Sequence, residues 1–189
     1  MTDPLRNLPA GIGRVLFTEA ALRQRVNELG AQISRDYIGL DPLVVGVLKG
    51  VMFFMSDLLR AITVPVSVDF MAISRYQPGS GAKGPVRLTK DLEDPVEGRH
   101  VLFIEDVIDT GLTLSYLLRN LRVRDPLSLE VCALFDKPQQ RIAQIPLRYR
   151  GFELPDRFVV GYGLDYREAY RHLPYVAELT PDKLGLRNQ

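Results

Sequence analysis

The run LVVGVLKG (residues 43–50) is apolar or glycine on both sides of a two-residue alternation, so it reads as a strand buried on both faces. Helical spacing resumes at once in VMFFMSDLLRAI (51–62), and VSVDFMAI (66–73) reads as the next strand. The exchange recurs downstream, with HVLFIE (100–105) as strand, LTLSYLLRNLR (112–122) as helix, and SLEVCALF (128–135) and RFVVGYG (157–163) as strands. Ahead of them Leu22, Val26, Leu29, Ile33 and Tyr37 fall at spacings of three and four behind Thr18, which predicts an amphipathic helix with a threonine N-cap. Strands buried on both faces and alternating with helices predict an α/β chain whose parallel sheet is covered by helices. Ligands of such sheets bind beyond the carboxyl ends of the strands. The segments after Leu48, Glu105, Phe135 and Gly161 are therefore expected to share one rim.

A chain of 189 residues fits one domain, residues 1–189. A net charge of +1 gives no reason to expect a nucleic acid or a membrane surface as partner. The single cysteine, Cys132, excludes an internal disulfide and fits a reducing compartment. Apolar runs such as VMFFM (51–55) are too short to span a bilayer, and MTDPLRNLPAG at the start lacks the pattern of a signal peptide. A cytoplasmic protein is the expectation. His100 and His172 lack a third clustered ligand, so they and Cys132 read as structural.

The chemistry concentrates in HVLFIEDVIDTGLTL (100–114), where an apolar strand runs into Glu105, Asp106 and Asp109 and then into a Thr-Gly-Leu-Thr turn. A helix N-terminus exposes free N–H groups and the positive end of a dipole, a natural seat for phosphate. Gly111 lets the backbone approach an anion closely, and Thr110 and Thr113 add hydroxyl donors. Carboxylates upstream suit a polyol, a hard cation such as Mg²⁺, or both. One acid there would be a helix cap; three around such a turn indicate a site. Neither GxxxxGK[ST] nor GxGxxG is present, so this is no Walker A loop or dinucleotide fingerprint.

VLFIEDVIDTGLTL resembles the phosphoribosyl-diphosphate (PRPP) motif of the type I phosphoribosyltransferases. With IGRVLFTEAAL, VGVLKG, DFMAISRY, FDKPQQR and DRFVVGYGLDYREAYRHLP, residues 12–179 resemble the hypoxanthine(-guanine) phosphoribosyltransferases. The resemblance implies a twisted parallel sheet flanked by helices, with a small hood built from terminal segments. It implies that Asp109, Thr110, Gly111, Leu112 and Thr113 bind the 5′-phosphate of PRPP, and that Glu105 and Asp106 sit at the ribose hydroxyls and Mg²⁺. Asp109 takes the place of the general base near purine N7.

Leu48, Lys49 and Gly50 match the pyrophosphate loop, whose peptide before the lysine is often cis in the family, and Arg171 matches an arginine that holds pyrophosphate. Residues 74–87 match a flexible lid in which Ser74, Arg75 and Tyr76 stand where the family has Ser-Ser-Tyr or Ser-Tyr, so Arg75 takes a serine position. In the purine pocket Lys137 matches the donor to the 6-oxo group, Phe158 the stacking ring, Val159 the backbone reader of the base edge, and Asp165 the acid at a second Mg²⁺. An ammonium donates and cannot accept, which favours 6-oxopurines over adenine.

The expected activity is conversion of hypoxanthine, and of guanine, with Mg²⁺-PRPP to IMP or GMP and pyrophosphate by a homo-oligomer, a dimer or tetramer. Two rivals stand beside it: a regulatory RNA-binding protein that keeps the PRPP fold, and a xanthine-preferring transferase. Intact Lys49, Asp109 and Lys137 with near-zero net charge weigh against the first.

Overall fold

The computed structural model describes residues 8–75 and 86–184. A six-stranded sheet runs in the order β4 (Val86–Lys90), β3 (Ser67–Arg75), β2 (Leu43–Leu48), β5 (His100–Ile108), β6 (Ser128–Asp136), β7 (Leu147–Glu153). All neighbours are parallel except β4, which pairs antiparallel with β3 at the edge.

Alternation along the central strands divides the core in two. On one face Val44, Leu102, Ile104 and Leu134 pack under α1 (Glu19–Asp36) and α2 (Met52–Ala61), against Leu22, Leu29, Ile33, Phe54 and Leu58. On the other face Leu43, Val45, Val101, Phe103 and Val131 meet Leu114, Leu117, Leu118 and Leu121 of α3 (Leu112–Arg122). Each fully buried aliphatic side chain stabilises the fold by about 1.5–3 kcal/mol relative to its exposed form. α1 follows the sequence reading: the Thr18 hydroxyl accepts from the Ala21 N–H at 3.2 Å, and Leu22, Val26, Leu29, Ile33 and Tyr37 are all buried.

The hood is an antiparallel sheet in the order β1 (Ile12–Phe17), β9 (Val176–Leu179), β8 (Val159–Val160), with its own cluster of Ile12, Val160, Leu173, Tyr175, Ala177 and Leu179. A short helix, α4 (Pro181–Leu184), closes the described chain. Among the described residues no helix is long and apolar enough to cross a membrane.

Three expectations need correction, and one strand, β7, was not anticipated. β5 does not end at Glu105: pairing with β6 continues through Val107↔Phe135 and Ile108↔Asp136, so both acids lie inside the strand. Gly161 is not on the rim of the main sheet, because β8 pairs with β9 in the hood instead. Strand β7 hides in a run of alternating arginines, which the partly wet edge of the sheet tolerates. The expected loop 74–87 is shorter, since Ser74↔Arg87 and Arg75↔Val86 extend the β3–β4 pairing. Tyr76 and the rest of the lid assignment, 76–85, lie outside the described residues.

α1 crosses α2 where Gly30 meets Ala61; a Cβ at Gly30 would stand 2.5 Å from the Ala61 Cβ and 2.8 Å from its carbonyl. Glycine inside a helix ordinarily costs about 0.5–1 kcal/mol relative to alanine. Here the close approach reverses the sign. Gly30→Ala is expected to destabilise by about 1–3 kcal/mol through overpacking, read as a lower urea midpoint at unchanged m-value. A midpoint at or above that of the parent would show that the two helices have room to part.

Candidate active site

The Asp109–Thr113 turn, expected to seat a phosphate, sits where β5 hands over to α3. Gly111 caps the helix with φ 75°, in the left-handed region that favours glycine, and it has no side chain to bond the first helical amides; the Leu112 N–H reaches the Thr110 hydroxyl at a long 3.5 Å. The segment behind the turn is fixed by Ile142 and Ala143, whose N–H groups donate to the Thr110 carbonyl at 2.9 and 3.0 Å. The first turn of α3 therefore presents amides toward the rim, and exposed Leu112 contributes its backbone there. Thr110 and Thr113 stand beside that turn, both half-buried.

Glu105 and Asp106 are consecutive residues inside β5, and both are half-buried. Burial, and then the Asp106 charge, push the Glu105 carboxyl well above its usual range. Burial also raises Asp106, to about 6, against the pull of the Val107 N–H, which donates to Oδ1 at 2.7 Å, and of the Arg171 guanidinium.

The loop after β2 closes onto this pair. The Leu48–Lys49 peptide is cis, as in the family pattern. A Cβ on Gly50 would overlap Asp106 Oδ2, and one on Gly163 (φ 98°) would overlap the Gly50 carbonyl. Three segments distant in sequence thus meet backbone to side chain with no room for a methyl group. Arg171 fastens the third of them: its Nη1 donates to the Gly163 carbonyl at 2.7 Å, its Nη2 lies 2.7 Å from Asp165 Oδ1, and the Gly163 N–H donates to its carbonyl at 2.9 Å. The buried Nε of Arg171 has no acceptor among the described residues.

Asp106, Val107, Asp109, Lys137, Phe158, Val159, Leu164, Asp165 and Arg171 line one cavity of about 250 Å³. Lys137 follows β6; its N–H donates to the Ile108 carbonyl at 2.9 Å, and its Nζ donates to the Arg157 carbonyl at 3.0 Å. Phe158 is 45% exposed, with its ring edge-on to Tyr166 at 5.6 Å. That exposure excludes the ordinary reading of Phe158 as a core aromatic. The Leu179 N–H donates to the Phe158 carbonyl at 3.0 Å, and Val159 pairs with Glu178. Val159 therefore falls at a non-hydrogen-bonded position of the ladder, and its own N–H and C=O face the open edge of β8.

Of the expected residues, Asp106, Asp109, Lys137, Phe158, Val159, Asp165 and Arg171 line this cavity; Glu105 and residues 110–113 stand beside it in β5 and the turn that follows, Ser74 and Arg75 lie on the β3 end, and Tyr76 is outside the described residues. Arg171 stands in a turn, half-buried. Sequence reasoning missed Gly163, the Arg157 carbonyl and Glu168; the last sits 3.1 Å from Lys49 Nζ. Gly163 could have been found beside Gly161 in VGYG, two glycines flanking a tyrosine after a strand.

A parallel sheet with a strand-end phosphate turn, buried acids inside the preceding strand and a base-sized pocket under a hood defines a transferase acting on a phosphorylated ribose. Residues 16–167 match the family model described as phosphoribosyl transferase domain. The chain is 47% identical over 185 residues to the hypoxanthine-guanine phosphoribosyltransferase of Mycobacterium avium, covering 95% of this chain and 91% of the relative. It is 48% identical over 170 residues to the one of Bacillus subtilis, covering 90% and 94%. A solved hypoxanthine phosphoribosyltransferase from Staphylococcus aureus superposes with a TM-score of 0.87 at 44% identity, over 97% of this chain and 98% of that one. This chain belongs to the phosphoribosyltransferase family, within its hypoxanthine-guanine branch.

The raised Asp106 carboxyl has a measurable consequence. Its folded value of about 6 lies above the ordinary 3.8, so the native state holds the proton more tightly and stability falls as pH rises from about 4 through 6. Without metal, in EDTA, Asp106→Asn is expected to be about 1–3 kcal/mol more stable than the parent at pH 7.5, with the gap closing near pH 4.5. Urea unfolding at the two pH values checks it; a gap that does not narrow on acidification places the cost elsewhere.

Proposed function

We propose that this chain transfers the 5-phosphoribosyl group of PRPP to hypoxanthine and to guanine, forming IMP or GMP and releasing pyrophosphate. One observation carries the reading: Lys137, Phe158, the free backbone edge of Val159 and Asp109 share a single cavity beside the phosphate turn.

A flat purine stacks on the exposed Phe158 ring. Lys137 has three N–H donors, so it can keep the Arg157 carbonyl and still donate to a 6-oxo group. It has no acceptor for a 6-amino group, and adenine is excluded on that count. The turn at 109–113 holds the 5′-phosphate through amides of α3. Glu105 and Asp106 face the ribose hydroxyls, while the Leu48-Lys49-Gly50 loop and Arg171 hold the diphosphate. The unpartnered Nε of Arg171 suits such an anion. Asp109, exposed at the cavity mouth, takes the proton the purine loses as its bond to C1′ forms.

The residues also fit Mg²⁺. Glu105 and Asp106 are adjacent carboxylates pushed toward protonation by burial, a donor pair that a hard cation would relieve. Among the described residues no group of three or more acids, histidines or cysteines forms a protein-only cage. Mg²⁺ is ordinarily bound through one or two carboxylates plus substrate phosphates, so this donor set is of the right kind. Glu105 and Asp106 would hold one ion and Asp165 would face a second. When bound, Mg²⁺ would supply positive charge to offset that of the diphosphate. Assembly as a dimer or tetramer and a cytoplasmic location complete the proposal.

A steady-state panel of hypoxanthine, guanine, xanthine and adenine with PRPP, with Mg²⁺ and with EDTA, tests the assignment. Turnover of the first two that chelator abolishes is expected; xanthine ahead of both would support the other transferase reading. Lys137→Gln should weaken hypoxanthine and guanine roughly 5- to 150-fold, the effect of an unsatisfied buried oxygen, and narrow their advantage over adenine while PRPP affinity holds. Loss of PRPP binding with the oxopurine-to-adenine ratio intact would move Lys137 to the phosphate side.

Asp109→Asn keeps the shape and removes the base. Single-turnover transfer should slow by ~10²–10⁴-fold with PRPP affinity much less affected. An unchanged single-turnover rate assigns the proton elsewhere.

A further inference from the structure

The turn that carries Glu168 is built against the preferences of its residues. Tyr166 and Ala169 exchange backbone hydrogen bonds of 3.2 and 3.0 Å, and between them Arg167 and Glu168 have φ of 52° and 64°. Two central residues at positive φ, closed by such a pair, form a type I′ hairpin turn, the province of Asn, Asp and Gly. Left-handed backbone is disfavoured for both arginine and glutamate. The Glu168 N–H donates to Asp165 Oδ2 at 2.9 Å, which helps to hold the turn. Strained backbone of this kind persists where the surroundings over-determine it, and it gathers at functional sites.

The side chain delivered by that turn lies between two cations. Glu168 Oε2 is 3.1 Å from Lys49 Nζ, and Oε1 is 3.5 Å from Arg171 Nη2. The two come from different parts of the fold, the loop after β2 and the hood. They are the two side-chain cations assigned above to pyrophosphate. Arg171 is not committed to Glu168 alone, because it also meets Asp165 and the Gly163 carbonyl, whereas Glu168 is the one ion-pair partner of Lys49 among the described residues.

We propose that Glu168 is a built-in competitor for pyrophosphate: its carboxylate bridges Lys49 and Arg171, the diphosphate displaces it on binding, and its return favours release. The proposal rests on the assignment of Lys49 and Arg171 to the diphosphate. The Lys49 and Glu168 side chains are 68% and 66% exposed, so the pair is a weak one. A weak competitor suits the task. It yields to the larger charge of a diphosphate, yet it lowers the affinity for a product that must leave on every turnover. Lys49 and Arg171 both hold the Glu168 carboxyl below its usual range, Lys49 the more strongly, so it is ionised wherever the enzyme would work.

Calorimetric titration of the full chain with pyrophosphate in Mg²⁺ buffer tests this with three variants. Glu168→Gln preserves size and removes the charge; it should bind pyrophosphate roughly 2- to 5-fold more tightly and be more strongly inhibited by it as product. A gain in affinity is not something a folding defect produces. Glu168→Gly suits a left-handed turn position and should show the same gain, so it carries the test if the glutamine variant folds poorly. Lys49→Gln should weaken pyrophosphate binding. If Lys49→Gln weakens it while neither Glu168 variant tightens it, the competitor is disproved and the site assignment stands. If Lys49→Gln leaves pyrophosphate affinity unchanged, the assignment of the cation fails and the competitor falls with it.

Discussion

The contact on which the site depends is the one from which side chains are excluded. Gly50 lies against the Asp106 carboxylate and Gly163 against the Gly50 carbonyl, each so closely that a methyl group would collide. Through these two glycines the ends of β2 and β5 and the hood are locked into one rim. Arg171 then closes the arrangement from the hood side through Gly163 and Asp165. The central sheet supplies the rigidity: the strands leading to this point run through the core, with Leu43, Val44, Val45 and Val101 to Ile104 without solvent exposure. A rigid base matters because transfer chemistry demands that the two reacting molecules be held within a fraction of an ångström.

Into that rigid strand the sequence places two consecutive carboxylates, and they lower stability. Burial holds both toward the protonated form, because their surroundings do not favour the charge. A core strand selected for stability alone would continue the Val-Leu-Phe-Ile pattern. The exception is informative, since places where local preference and global fold disagree tend to be functional. The left-handed Arg167-Glu168 turn is a second such place, and the two lie on either side of the Lys49 loop.

Much of this was legible in the sequence because it depends on periodicity. The helical stripe from Leu22 to Tyr37, the strand LVVGVL and the helix LTLSYLLRNLR announce themselves through which positions are apolar, and the structure reproduces them. The hood was not legible in that way. β8, inside the strand reading of RFVVGYG, is only two residues long, and β1 and β9 pair across almost the whole chain, so no local pattern reports which strands join in that sheet. The purine pocket was named through resemblance, residue by residue; what the residues alone suggested for Phe158 was a core position, and only the hood geometry turns the ring outward. Glu168 escaped notice because its significance is a distance to Lys49, 119 residues away in sequence.

The proposed purine side and the proposed diphosphate side of the site are not independent. Asp165 lines the purine cavity, pairs with Arg171 at 2.7 Å and accepts from the Glu168 N–H at 2.9 Å. Phe158, at the floor of the same cavity, stacks edge-on against Tyr166, which begins the turn bearing Glu168. A base pressing on Phe158 and a diphosphate drawing on Lys49 and Arg171 would thus both load one short segment, 165–171. That segment has three non-glycine residues in left-handed backbone, Arg167, Glu168 and Tyr170. Segments held in disfavoured geometry by a few specific bonds rearrange more readily than a packed strand, whose movement would open the core. The fold thus keeps its adjustable element in the hood, and leaves the acids and the phosphate turn on the part of the sheet that does not yield.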